Sequence, residues 1–198
     1  AESTLQGKTI DKLFIKSGLK YEDVRYIFAG DLLGQLIASS FGIKKYNIPF
    51  FGLYGACSTF GEALSLGAFT VANDGADRVI AMASSHFASA EKQFRFPLEY
   101  GNQRPMASTW TVTGCGAVIL SKIKSPVKVT GFTTGKIVDY GVKDSMNMGA
   151  AMAPAAADLI ETNLNDFGVN ANYYDKIITG DLGTVGSKIL HDILLEKG

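Results

Sequence analysis

Apolar positions along the 198-residue chain fall into alternating helix-spaced and strand-like runs. Leu5, Ile10, Leu13 and Phe14 recur at helical spacing and predict a helix over 1–17, stopped by Gly18. Asp23–Ala29 reads as a buried strand, and Leu32–Phe41 as an apolar helix ended by Gly42. Pro49–Tyr54 predicts a short strand, with Pro at its start where the missing N–H does least harm. A helix follows from Cys57 to Asn73, with Leu64, Leu66, Phe69 and Val71 as expected core contacts. Arg78–Ala83 and Gly116–Ser121 predict further strands, and the polar, aromatic stretch Ser84–Thr111 between them reads as irregular. Beyond it come a strand-like run at Val127–Gly135, a helix at Met148–Leu164 with Pro154 early in it, a strand at Lys176–Thr179 and a helix at Gly183–Glu196. Strands apolar throughout that alternate with helices imply an α/β domain with a largely parallel sheet covered on both faces.

The pattern repeats. Gly18, Ile27, Gly30, Asp31 and Leu32 recur as Gly168, Ile177, Gly180, Asp181 and Leu182, at a constant offset of 150. Both copies predict helix, loop, strand and helix in the same places, which points to an internal duplication rather than a solenoid. The first copy continues to a second strand and Cys57, whereas the second has only 16 residues after Leu182. Val127–Gly135 precedes the second copy and has no counterpart ahead of the first. The expectation is a first repeat over 1–125 that lacks its opening strand and carries an inserted loop at 84–111. An incomplete second repeat then covers 126–198, so that the duplicated sheet is truncated at both ends.

Composition narrows the function. Nineteen basic and nineteen acidic residues give no net charge, so nothing suggests a nucleic-acid groove or a polybasic membrane patch. No apolar run approaches a membrane span. Cys57 and Cys115 stand in unrelated settings and make neither a disulfide framework nor a metal site.

The chemistry concentrates at Pro49–Gly61, which reads as strand, tight turn, cysteine and helix. A cysteine at a helix N-terminus meets unsatisfied N–H groups and the positive dipole end, which favour thiolate. A small thiol buried at a crowded junction is the alternative. The nucleophile elbow of α/β-hydrolases needs glycine two residues on either side of the nucleophile. Gly55 satisfies the first position but Thr59 occupies the second, so that class is disfavoured.

The turn and the duplication are similar to the thiolase superfamily. The segments Ser84–Phe87, Phe94–Pro97, Tyr100–Gly101, Gln103–Pro105 and Trp110–Gly114 resemble one branch of it, the stage V sporulation protein AD family of spore-forming bacteria. The resemblance implies a thiolase-like fold and a non-catalytic sporulation protein that binds dipicolinic acid, or its calcium chelate, within the spore's dipicolinate uptake and release channel. It further implies a homodimer, other stage V channel subunits as partners, and a peripheral position at the forespore inner membrane. No cofactor is implied beyond calcium carried by the ligand. Catalytic thiolases and ketoacyl synthase III enzymes place a histidine after the repeat strand, typically in His-x-Ala-Asn; here Thr179-Gly180-Asp181-Leu182 stands there. Without that base the thiol lacks its activating partner.

Dipicolinate is a rigid planar dianion. A site for it wants guanidinium forks, hydroxyl or backbone donors and an aromatic face. Cys57, His86, Arg95, Arg104, Trp110, Thr111 and Thr113 are the expected ligand-binding residues, with Cys57 vestigial or nucleophilic. A surface loop with solvated arginines is the plainer alternative for Ser84–Thr111. His86 ends a strand at the edge where open α/β sheets bind ligands, and pocket and structural roles both stay open for it. His191 lies mid-helix and reads as structural. Asp31 and Asp181, just past strand ends, read as helix caps, with calcium or ligand contact as the alternative. Two rival functions stand beside dipicolinate binding: acyl transfer using Cys57 as nucleophile, and a purely structural channel subunit.

Overall fold

A computed structural model describes residues 1–34, 36–94 and 105–197. The chain divides into two units, 1–93 with 111–129 and 94–110 with 130–198.

In the first unit α1 (Glu2–Ser17), β1 (Tyr26–Asp31), α2 (Ile37–Ile43), β2 (Phe50–Gly52), α3 (Thr59–Ala72), β3 (Arg78–Ser85) and the start of α4 (Phe87–Phe94) precede β4 (Gly114–Ser121). The strands order as β2-β1-β3-β4. β1 runs parallel to β2, with Ile27 opposite Phe50, and parallel to β3, with Asp31 opposite Ser84. β4 is antiparallel to β3, so the sheet is mixed rather than wholly parallel.

Strand alternation sends β1 side chains to two cores. Ile27 and Ala29 are joined on one face by Ile80, Met82, Ile10, Phe14 and Ile43, whereas Phe28 meets Val79, Ala81, Ala63 and Val71 on the other.

 Ala29 is fully buried in the first of these clusters. α1 and α2 cover that face, and α3 covers the opposite one.

Several elements differ from the sequence expectation. Gly18 does stop α1: it is left-handed, with φ 69°, and its N–H reaches the Phe14 carbonyl at 2.9 Å. Gly42 is not a stop but lies inside α2, where a Cβ would stand 2.8–2.9 Å from Gln6 and the Ser3 carbonyl. It lets two helices approach. α3 buries Thr59, Ala63, Gly67 and Val71, a stripe spaced by four, and leaves Leu66 and Phe69 exposed. Small residues win the core face because the sheet comes close: a Cβ on Gly67 would be 2.6 Å from Leu120. Within the stretch expected to be irregular, Phe87–Phe94 forms α4.

The second unit contains α5 (Met148–Phe167) and α6 (Gly183–Lys197). Its frame follows the 150-residue offset. Gly168 ends α5 left-handed at φ 62°, as Gly18 ends α1, and the 3-10 turn at Ala171–Tyr173 matches the one at Tyr21–Asp23. The two expected strands at 127–135 and 176–179 do not form. A strand exists only through its ladder. β1 is flanked by β2 and β3, whereas the described residues after 182 make only α6 and supply no neighbour for 176–179.

Candidate functional site

The turn between β2 and α3 is built by close approaches. A Cβ on Gly30 would lie 2.1 Å from the Leu53 carbonyl, and one on Gly52 would lie 2.5 Å from Leu36. Only glycine lets β1, β2 and the segment leading into α2 meet there. The chain then turns through Gly55 into a 3-10 turn at Ala56–Ser58, and α3 begins at Thr59. Ala56 is left-handed, with φ 49°, a conformation that costs an alanine energy and persists only where its surroundings hold it. The Ser58 hydroxyl donates back to the Gly55 carbonyl at 2.9 Å. Cys57 therefore sits in the turn two residues ahead of α3 rather than at the helix's first residue, where the sequence pattern places it, and it is exposed rather than buried.

His86 joins β3 to α4 and is half-buried. Its carbonyl accepts from Ala90 N–H at 3.1 Å. The Thr113 hydroxyl accepts from Phe87 N–H at 3.0 Å, and the Ser85 hydroxyl donates to the Val112 carbonyl. Thr113 thus clasps the start of α4 beside His86. Cys57 and His86 follow the carboxyl ends of β2 and β3, with β1 between them, so about 10 Å of sheet separates the two strand ends. The chain leaves β1 through α2 to one side, then returns over the opposite face through α3 to β3, so the strand order reverses at β1. Open α/β sheets bind ligands at such a point.

Of the remaining expected residues, Thr111 is half-buried in the first unit and Trp110 is exposed in the second. Arg95 and Arg104 lie outside the described residues. His191 is an exposed residue of α6, 4.0 Å from Asp192. Cys115 is half-buried in β4, where burial pushes its thiol pKa up; a hydrogen bond with Thr9 works the other way and the Glu2 carboxylate adds to the rise. A cleft of about 560 Å³ at the opposite pole is lined by residues such as Tyr21, Arg25, Asp77 and Arg78 and by none of the expected site residues. Among the described residues no cluster of three or more His, Cys, Asp or Glu could hold a metal ion.

Asp31 is a cap, but over a long reach. Its Oδ2 accepts from the N–H of Ser39 at 3.2 Å and from the Ser39 hydroxyl at 2.9 Å, which satisfies the first turn of α2. Asp181 Oδ1 accepts from Gly183 N–H at 3.0 Å where α6 begins. The sequence reading missed Gln6, Ser39 and Ser84, which extend the Asp31 contact into a buried polar relay. A signal existed: Glu2 and Gln6 continue the four-residue spacing of Ile10 and Phe14, which places polar groups on the buried stripe of α1.

A family model described as Stage V sporulation protein AD matches residues 1–198. The chain is 43% identical over its full 198 residues to Stage V sporulation protein AD of Bacillus subtilis (strain 168), and it spans 59% of that relative's length. The chain belongs to the stage V sporulation protein AD family. Its fold is thiolase-like. OleA from Xanthomonas campestris superposes with a TM-score of 0.72 at 11% identity, over 97% of this chain and 64% of that one. The 3-oxoacyl-(acyl-carrier-protein) synthase III of Aquifex aeolicus VF5 superposes with a TM-score of 0.69 at 12% identity, over 98% and 66%. These two likenesses concern the fold alone. Among the described residues of this family member, no helix is long and apolar enough to cross a membrane.

Proposed function

We propose that this member of the stage V sporulation protein AD family binds dipicolinic acid, alone or as its calcium chelate, without catalysing acyl transfer. In this reading it serves the dipicolinate uptake and release channel as a peripheral component at the forespore inner membrane, together with other stage V subunits. The observation that carries it is the family match along all 198 residues, including the segments around Ser84–Gly114 that prompted it. Local geometry is consistent: Cys57, His86 and Thr113 stand in the part of the first unit where the strand order reverses. Where a catalytic thiolase carries His-x-Ala-Asn, this chain has Thr179-Gly180-Asp181-Leu182: Thr179 stands in the histidine's place, its hydroxyl donating to the Gly180 carbonyl, and Asp181 binds the start of α6. Thiol chemistry then has no base from that position.

Calorimetric titration of the full-length protein with dipicolinic acid, with and without calcium, tests the reading. Saturable heat is expected, and its absence in both titrations defeats the proposal. The competing reading is acyl transfer from Cys57, favoured by an exposed thiol on a strained turn ahead of a helix. Incubation with acetyl- or malonyl-coenzyme A separates the two by mass spectrometry. Binding without transfer leaves Cys57 unmodified, whereas a stable acyl adduct on Cys57 establishes the rival.

A further inference from the structure

We infer that Gln6, a residue of α1, is a positioning residue for the turn that carries Cys57. The Gln6 amide nitrogen donates to Ser84 Oγ at 2.7 Å and to Ser39 Oγ at 3.1 Å. Each serine passes the bond on to a carboxylate: Ser84 Oγ donates to Glu2 Oε1 at 2.7 Å, and Ser39 Oγ donates to Asp31 Oδ2 at 2.9 Å. All five residues are buried, Gln6 and Ser39 completely. The direction of the relay is fixed by its ends. Carboxylates only accept, so each serine spends its proton on one and must accept from Gln6. Both amide hydrogens are then used, and Gln6 Oε1 is left without a donor among the described residues. Rotating the amide would give Oε1 a donor only by taking a serine proton from a carboxylate. The orphaned oxygen is the consequence of holding both ends.

What the Ser39 arm holds is strained. Asp31 ends β1 and Ser39 lies in the first turn of α2, so their contact draws together the two ends of the connection between those elements. Within it Leu36 is left-handed, at φ 57°, and its side chain seats against Gly52 of β2. Gly34, also left-handed, packs on Tyr54. Gly52 and Tyr54 lead directly into Ala56, the second strained residue, and Cys57. Two unfavourable backbone conformations therefore face each other across one junction, and Asp31–Ser39–Gln6 anchors the side that belongs to α2. The Ser84 arm anchors β3, two residues before His86, and does not enter this junction. The inference concerns the pole proposed to take dipicolinate and rests on that reading for its bearing on the ligand; the geometry and the test below do not depend on it.

Iodoacetamide alkylation of Cys57 in the full-length protein, followed by mass spectrometry between pH 6 and 10, reads the position of the turn. Ser39→Ala and Ser84→Ala each delete one arm at a buried site and should lower thermal stability alike. If the relay only stabilises the fold, Cys57 reacts the same way in both. With Gln6 positioning the turn, Ser39→Ala slows Cys57 labelling at neutral pH about fivefold and moves its pH profile upward, whereas Ser84→Ala stays within about twofold, one hydrogen bond being the difference. Should Ser39→Ala not fold, Asp31→Asn weakens the same arm and carries the same expectation. Unchanged labelling in the Ser39-arm variants, or an equal or larger change in Ser84→Ala, overturns the inference. Dipicolinate titration of the same proteins keeps the two questions apart: a wild-type protein that does not bind refutes the ligand while the labelling still reads the relay.

Discussion

Gly149 of α5 and Gly186 of α6 meet backbone to backbone: a Cβ built on Gly186 would stand 2.6 Å from the Gly149 Cα. In the other direction, a Cβ on Gly149 would lie 2.1 Å from the Leu182 carbonyl. Gly42 gives α2 the same closeness to α1 in the first unit. The two helix pairs thus solve one packing problem in the same way, although the glycines do not coincide under the 150-residue offset. Gly149→Ala should destabilise the protein by about 1–3 kcal/mol or more, because backbone cannot yield as a flexible side chain does. Gly61→Ala is the contrast. It lies in α3 with nothing within 4 Å of its Cβ position, and it should stabilise by about 0.4–1 kcal/mol. Urea unfolding of both variants checks the pair, and equal effects would contradict the packing.

The two cysteines should differ in reactivity. Cys57 is exposed in the turn ahead of α3, whereas burial holds the Cys115 thiol above the usual range. The thiolate is the reacting form, so Cys115 stays inert to a higher pH. Alkylation near pH 7 is expected to label Cys57 first. Preferential labelling of Cys115 in folded protein would refute the assignment.

Tyr46 makes stability sensitive to alkali. Its hydroxyl donates to the Gly7 carbonyl, 2.5 Å away, and lies 2.8 Å from Asp11 Oδ1. Burial first, then the Asp11 bond and charge, hold its pKa well above the ordinary tyrosine range. A group raised on folding contributes fully below its unfolded pKa of about 10, and the contribution drains away as pH climbs toward the folded value. Stability should therefore fall above pH 10. Tyr46→Phe should cost about 1 kcal/mol at pH 8 and lose less than wild type on going to pH 11. Asp11 has the opposite sign. The Lys45 hydrogen bond holds its pKa below the usual carboxylate value, so its contribution is present above about pH 4 and is lost as pH falls further. Urea midpoints across pH 3–11 would show both limbs, and parallel curves for wild type and Tyr46→Phe above pH 10 would remove Tyr46 from the account.

Local signals in the sequence carried the frame of this fold. Gly18 and Gly168 are helix stops because αL backbone favours glycine, and the apolar runs of β1 and β3 are strands buried on both faces. What stayed hidden depends on contacts distant in sequence. Nothing near Gly42 says that Gln6 will lie against it, so a packing glycine reads like a terminator. Lys176–Thr179 has strand composition but no ladder partner among the described residues, and composition alone cannot supply one. Cys57 was legible from its strand–turn–helix setting, whereas the left-handed Ala56 beside it was not, since alanine gives no hint of such a conformation. Thr113 was expected at the ligand, and its hydroxyl is engaged by Phe87 N–H across 26 residues.

Assembly is the last prediction. Among the described residues β2 is an edge of the sheet, paired with β1 on one side only. Phe51 lies on this strand 49% exposed, stacked on Phe28 with ring centroids 5.0 Å apart. Tyr54, Ile37 and Phe41 are also exposed, on the elements that adjoin β2. A soluble protein hides such an edge, because unpaired backbone beside apolar side chains seeks another strand. Pro49 removes a donor only where β2 starts and does not protect the rest. The other edge, β4, offers Gly116 and Val118 rather than a set of aromatic rings. An isologous dimer that pairs β2 with its two-fold copy covers the strand and the rings together. Full-length protein should therefore sediment as a dimer at micromolar concentration. Phe51→Lys places a charge at the centre of the contact and should weaken the dimer at least tenfold, about 1.4 kcal/mol. Circular dichroism melts of the variant separate lost association from lost folding, since half of the Phe51 surface is exposed in the single chain. A monomeric wild type defeats the dimer, and a dimer indifferent to Phe51→Lys places its interface away from β2.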